Sequence, residues 1–208
     1  KTQIERLQKG NNVQVRFARQ DVREFLKKTA AKFDVICLDK PEPFTLEDNR
    51  YYTREFYRIL RAKLTPEGIL AFSVRSSENY INPPLARYLN LLRNTLGEVF
   101  LEILIIPGDD NIFLASEKVN FVKRLNDWPA ILDNTQFSPQ YMTPAYLFYR
   151  LSPERITSYK ERLSRFEHEM VNCDFSMKGY SCHYQIWGSV TDPLVTQLFI
   201  WLTRHKIL

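Results

Sequence analysis

The sequence predicts an α/β protein: a mostly parallel sheet with helices on both faces, closed by an antiparallel hairpin. Three observations predict it. Two short apolar runs bounded by polar residues, 33–39 and 69–74, have the composition of buried parallel strands. Segments with apolar residues at helical spacing separate them. The tetrapeptide Pro107-Gly108-Asp109-Asp110 then joins two further apolar runs, as a hairpin turn does.

Each element follows from its residues. Val-Gln-Val-Arg-Phe-Ala at 13–18 alternates apolar and polar and is expected to be a strand. A helix over 21–31 follows, with Val22, Phe25 and Leu26 on one face and Asp21 placed to cap its start. The run 33–39 is the second strand, and Cys37 inside it reads as a small core residue. Pro41 and Pro43 open a loop. A helix over 51–64 carries Phe56, Ile59, Leu60 and Leu64, and Pro66-Glu67-Gly68 reads as a turn before the strand 69–74. Residues 84–96 form the next helix, ended by Gly97, and 99–106 and 112–115 are the hairpin strands. The order is β-α-β-α-β-α-β-β, which argues for the α/β class. Beyond Lys118 the strand pattern stops, prolines 129, 139, 144 and 153 punctuate short segments, and 153–170 is a charged amphipathic helix. The expected organisation is an α/β domain over 1–117 and a mainly helical extension over 118–208.

Composition excludes several classes. The 208 residues carry 29 Lys+Arg against 24 Asp+Glu, a net charge of +5, with 44% hydrophobic and 13% aromatic residues. That is enough apolar surface for a core, which excludes a disordered tail or a disulfide-stapled miniprotein. No Lys/Arg block exceeds two residues, so the positive charge belongs to solvated faces rather than a nucleic-acid patch. Three cysteines without a Cys-x-x-Cys pair suggest free thiols in a reducing, cytoplasmic compartment. His168, Cys173, Cys182 and His183 match no compact zinc spacing, so no metal is expected. No signal peptide is recognisable, and 194–202 is too short to span a bilayer. The end of the chain, 193–208, suits either a docked helix or a surface that rests on a membrane. Tyr141, Tyr146, Phe148 and Tyr149 read as core or interface. The six glycines are scattered, so no Gly-rich phosphate loop is present.

In open α/β sheets, ligands bind beyond the carboxyl ends of the strands. Asp21, Asp39 and Arg75-Ser76-Ser77 fall there. Asp39 opens a segment with four carboxylates in ten residues: Asp39, Glu42, Glu47 and Asp48. Such a cluster suits a cationic substrate and proton removal from an amine. Glu47 and Asp48 also have a plainer reading, as acids favoured by the dipole of a following helix.

Asp34-Val-Ile-Cys-Leu-Asp39-Lys-Pro-Glu42-Pro, followed by Tyr52-Thr-Arg-Glu-Phe56-Tyr57, resembles the signature of the spermidine/spermine synthases. Asp21-Val22 is similar to that family's Asp-Ala. The resemblance covers about residues 13–117 and is most specific over 34–57. It implies a Rossmann-like sheet of the S-adenosylmethionine-dependent transferase type whose first strands and Gly-rich loop precede Lys1, so the domain is expected to be N-terminally truncated. It implies aminopropyl transfer from decarboxylated S-adenosylmethionine, a cosubstrate rather than a permanently bound cofactor, to a polyamine such as putrescine. It also implies Asp39 as catalytic base, Glu42 and Tyr52 at the amine, Asp21 and Val22 at the adenine, and a homodimer. Glu42 replaces an aspartate of the pattern, and Ile106-Pro107-Gly108 stands in place of its Pro-Thr-Tyr. The segment Asn172-Cys-Asp174-Phe-Ser-Met-Lys-Gly-Tyr180 resembles, with Met177 for a proline, the tails of larger bacterial proteins that join such a domain to membrane segments. Two rival readings stay open: an S-adenosylmethionine-dependent methyltransferase on the same sheet, although Asp39-Lys-Pro-Glu42-Pro lacks an Asn/Asp-Pro-Pro-Tyr/Phe loop, and a catalytically silent module that docks a membrane partner.

Overall fold

A computed structural model describes residues 16–133, 143–166, 170–176 and 178–191, together with 194, 197 and 201. The chain forms two compact units, Lys1–Ala30 and Ala31–Leu208. In the first, helix α1 (Val22–Lys28) starts at Asp21, whose carboxylate accepts from the backbone N–H groups of Arg23 and Glu24. The cap expected from sequence is therefore present. Residues 13–15 of the first expected strand lie outside the described residues, and Arg16–Ala18 are not in a strand.

In the second unit the order is β1 (Phe33–Leu38), α2 (Leu46–Asn49), a 3-10 turn (Arg50–Tyr52), α3 (Arg54–Lys63), β2 (Leu64–Arg75), α4 (Pro83–Gly97), β3 (Glu102–Ile106), β4 (Asp110–Ser116), α5 (Phe121–Asp133), α6 (Pro144–Arg150), α7 (Pro153–Ser164) and α8 (Lys178–Thr191). The described strands form one mixed sheet in the order β1-β2-β4-β3, with β1 and β2 parallel and the β2/β4 and β3/β4 pairs antiparallel. The hairpin inserts its second strand beside β2.

Around α3 two expected elements change. The helix over 51–64 begins as a short helix and a 3-10 turn, because Thr53, extended and accepting from the Phe56 N–H, starts α3 afresh. The turn at Pro66-Glu67-Gly68 is instead an irregularity inside one long strand. Phe33 pairs with Leu64 and Val35 with Ile69, so the intervening residues bulge without reversing the chain. Gly68 is needed there, since a Cβ would lie 3.0 Å from the Phe33 carbonyl and 2.9 Å from the Leu64 Cβ.

One sheet face packs Leu70, Phe72 and Phe113 beneath α3 and α4. Phe72 and Phe113 stack at 5.1 Å, with Tyr57 and Tyr52 on Phe72 at 6.1 and 5.8 Å. The opposite face is covered at β3 and β4, where Leu104 and Ile106 meet Phe121, Leu125 and Ile156. Helices thus lie on both faces, as expected. At β1 that second face is open: Val35 is 57% exposed and Cys37 is exposed. The reading of Cys37 as a core residue is corrected. The pleat points it away from the core face that Leu38 joins, and among the described residues only β2 pairs with β1.

The described residues after 117 belong to the same unit. Pro144 and Pro153 start α6 and α7, where a missing N–H costs nothing, while Pro129 sits inside α5. The amphipathic helix expected over 153–170 is shorter, Pro153–Ser164. Tyr146, Phe148 and Tyr149 are about half exposed rather than core, and Tyr141 lies outside the described residues. Most of 193–208 lies outside them too. No described helix is long and apolar enough to cross a membrane.

Candidate active site

The parallel pairing of β1 with β2 brings their carboxyl ends side by side, with Leu38 opposite Phe72. Asp39 is the first residue past β1 and is exposed. The loop that follows is held at several points. The buried Tyr52 hydroxyl donates to the Lys40 carbonyl at 2.9 Å, and the Lys40 ammonium lies 4.7 Å over the Tyr51 ring. Burial, then the carboxylates of Glu42, Asp48 and Asp39, push the Tyr52 pKa far above its ordinary value. Its hydroxyl therefore stays protonated and acts as a donor. Tyr52 fixes the backbone of the acidic loop and senses three of its four carboxylates.

Glu42 is tied on both oxygens. Oε1 accepts from the Arg75 N–H at 2.7 Å, which pins the loop to the end of β2, and Oε2 meets His183 Nε2 at 3.1 Å. Asp48 has the plainer role. Its N–H donates to the Thr45 hydroxyl, which donates back to Asp48 Oδ2 at 2.7 Å, at the start of α2. Glu47 shares that first turn and is exposed. Asp21 and Val22 lie at the start of α1, in the first unit.

The loop after β2 is clamped from the C-terminal region. Ser76 Oγ lies 3.0 Å from the Tyr159 hydroxyl, which accepts from Asn111 Nδ2 at 2.6 Å. Glu78 accepts from Arg155 and from the Tyr149 hydroxyl, and its backbone carbonyl accepts from Arg162. The Arg155 guanidinium and then the Tyr149 hydroxyl hold the Glu78 pKa below the usual carboxylate range.

The segment that begins at Asn172 locks onto the signature segment 49–56. The fully buried Asn172 amide donates to Asn49 Oδ1 at 2.9 Å and to the Tyr52 carbonyl at 3.0 Å. Its Oδ1 accepts from the Gly179 N–H and the Ser176 hydroxyl. Its backbone N–H donates to Thr95 Oγ1, and its carbonyl accepts from the Arg54 N–H. Asp174 accepts from the Thr53 hydroxyl at 2.6 Å and donates its N–H to Glu55. Beside this network the Tyr57 and Tyr88 hydroxyls are buried without a hydrogen-bond partner among the described residues. Cys182 is buried, and that burial raises its thiol to about 11 against the pull of Arg87 and Lys178. No group of three or more metal-ligating side chains occurs among the described residues; His168 lies outside them.

Sequence reasoning missed His183, Tyr88 and Tyr159 as neighbours of the site. His183 stands 141 residues from Glu42, and no local pattern signals such a contact. The Asn172–Tyr180 motif was the one available cue, and the structure gives it a role: it docks α8 onto the signature segment.

The described strands form an open, mixed α/β sheet with an acidic, tyrosine-backed loop at the carboxyl ends of its parallel pair, the position where ligands bind in open α/β sheets. Residues 1–110 match the spermine/spermidine synthase domain, and the chain belongs to that family. It is 41% identical over 56 residues to a polyamine aminopropyltransferase of Oceanobacillus iheyensis, covering 27% of this chain and 11% of that protein. To the polyamine aminopropyltransferase of Nitrosomonas europaea it is 37% identical over 87 residues, 42% of this chain and 26% of that protein. The chain therefore spans about a quarter or less of the length of these relatives. Among solved structures it is similar to human methyltransferase-like protein 13 in complex with SAH (15% identity, 61% of this chain and 63% of that one, TM-score 0.41). It is also similar to a probable spermidine synthase from Corynebacterium glutamicum (18%, 64% and 50%, TM-score 0.39). The family match ends at residue 110, so His183, Asn172 and Tyr159 all come from beyond it.

Proposed function

We propose that this chain is part of an aminopropyltransferase, which moves the aminopropyl group of decarboxylated S-adenosylmethionine onto a polyamine such as putrescine. The observation that carries the reading is Asp39: an exposed carboxylate one residue beyond β1, at the head of a loop braced by Tyr52 and Glu42. An alkylamine has a pKa of about 10, near that of lysine, and arrives protonated. Asp39 attracts the ammonium, orients it and takes the proton, which its exposure lets pass to water. The freed nitrogen lone pair attacks the methylene beside the sulfonium. The N–C bond forms, the C–S bond breaks, and methylthioadenosine leaves with the electron pair. The leaving group carries its own activating charge, so positioning supplies much of the remaining help.

In this reading Asp21 and Val22 contact the adenine, Tyr52 backs the amine pocket, and Glu42 faces the amine chain. The domain works on the cytoplasmic side of a bacterial membrane, attached through segments outside this chain, and pairs as a homodimer. The 208 residues alone are inactive, for want of the Gly-rich loop that holds the nucleotide.

The test supplies the full-length protein with putrescine and either decarboxylated or ordinary S-adenosylmethionine, with products read by mass spectrometry. An aminopropylated amine supports the reading, and its loss in Asp39→Asn assigns the base. A methylated product, or none while methylthioadenosine still binds, overturns it in favour of a methyltransferase or a silent docking module.

A further inference from the structure

We infer that His183 is a positioning residue for the amine acceptor: from the C-terminal helix it fixes the Glu42 carboxylate, and so completes the amine pocket from outside the matched family domain. This rests on the aminopropyl reading.

Glu42 and His183 meet where the loop from β1 passes the end of β2, three residues beyond Asp39. Both are secluded, with side-chain exposures of 11% and 7%. Glu42 is held at two points of its carboxylate, the Arg75 N–H and His183 Nε2. An ionised carboxylate has about four acceptor directions; with two in use, about two remain for an ammonium in a set orientation. The imidazole is fixed in turn, edge-on to Phe44 at 4.3 Å and to Tyr88 at 5.5 Å. Helix α8 is anchored by the Asn172 network and packs along α4. A part so deeply tied into the core is a wall rather than a lid.

A second observation points to a ligand. The Tyr88 hydroxyl is fully buried, touches the imidazole through its ring, and has no hydrogen-bond partner among the described residues. Glu42 is foremost among the charged groups it feels. A buried hydroxyl without a partner is costly, and a donor–acceptor in the field of a fixed carboxylate suits the N–H groups of an amine.

The experiment measures putrescine binding by calorimetry, with methylthioadenosine present, for the full-length wild type, His183→Ala and His183→Gln, and compares kcat and KM in the transfer assay. The expected result is a tenfold or greater loss of putrescine affinity in His183→Ala, carried by KM more than by kcat, with methylthioadenosine affinity within twofold. His183→Gln, which keeps an N–H donor, should recover to within about threefold. Unchanged or tighter putrescine binding in His183→Ala overturns the inference, as does an equal loss for amine and nucleotide or a failure of Gln to rescue. A wild type that binds putrescine but makes no product sinks the aminopropyl reading alone, and the variants still decide the role of His183. A wild type that binds no putrescine overturns the amine pocket itself.

Discussion

Replacing Asn172 by Ala tests whether the C-terminal segment is structurally continuous with the signature segment. The substitution removes an amide that serves Asn49 Oδ1, the Tyr52 carbonyl, the Gly179 N–H and the Ser176 hydroxyl, all from a site with no exposure. Ser176 keeps a bond to the Cys173 carbonyl, so three groups lose a partner. At roughly 1–3 kcal/mol for each buried group left unsatisfied, and with a water relieving part of it, the loss comes to about 3–5 kcal/mol. Hydrogen exchange read by mass spectrometry is the suitable assay, because it reports local stability in a protein of several parts. At about 1.4 kcal/mol per tenfold, amides of 49–56 and 172–185 should exchange roughly a hundredfold or more faster. Gly179 is the direct reporter, its own N–H having lost an acceptor. Acceleration below tenfold would refute the reasoning. Asn172→Asp sharpens the test, since it keeps the acceptor toward Gly179 but turns an oxygen toward two other acceptors. That carboxyl should have a folded pKa above its unfolded value of about 3.9. Its stability is then greatest below that value and is lost as pH rises through the folded pKa.

Three further outcomes can be checked. If the proposed aminopropyl transfer holds, Asp39→Asn should abolish turnover by the full-length protein and leave its melting profile unchanged, because the side chain is exposed; retained activity removes Asp39 from the chemistry. Glu78→Gln should weaken the clamp on the loop after β2 and flatten the acid limb of stability. The sign follows from the depressed pKa of Glu78: its contribution is present above the unfolded value of about 4.3 and disappears as pH falls through the folded one, so an acid titration of both proteins by circular dichroism checks it. Alkylation at pH 8 with peptide mapping should label Cys37 in the native protein and spare Cys182, whose thiol is buried and raised to about 11; equal labelling would contradict both placements.

Much of this protein is legible along the chain because its signals are local. Asp21 caps α1, and alternating apolar runs separated by amphipathic segments give the sheet and its closing hairpin. The acidic loop after β1 is a stretch of ten residues whose charge can be counted. Hydrophobic periodicity and cap chemistry act over a few residues, so they survive reading without a structure.

Tertiary structure alone decided what the site is made of. Pro66-Glu67-Gly68 carries turn chemistry, yet β1 draws it into a bulged strand. Cys37 has a core composition around it, but its exposure depends on which face of β1 is covered. His183 meets Glu42 across 141 residues, and Asn172 meets Tyr52 across 120. Such contacts are specified by how α8 docks on α4 and the signature segment, a property of the packed whole that no window of sequence contains.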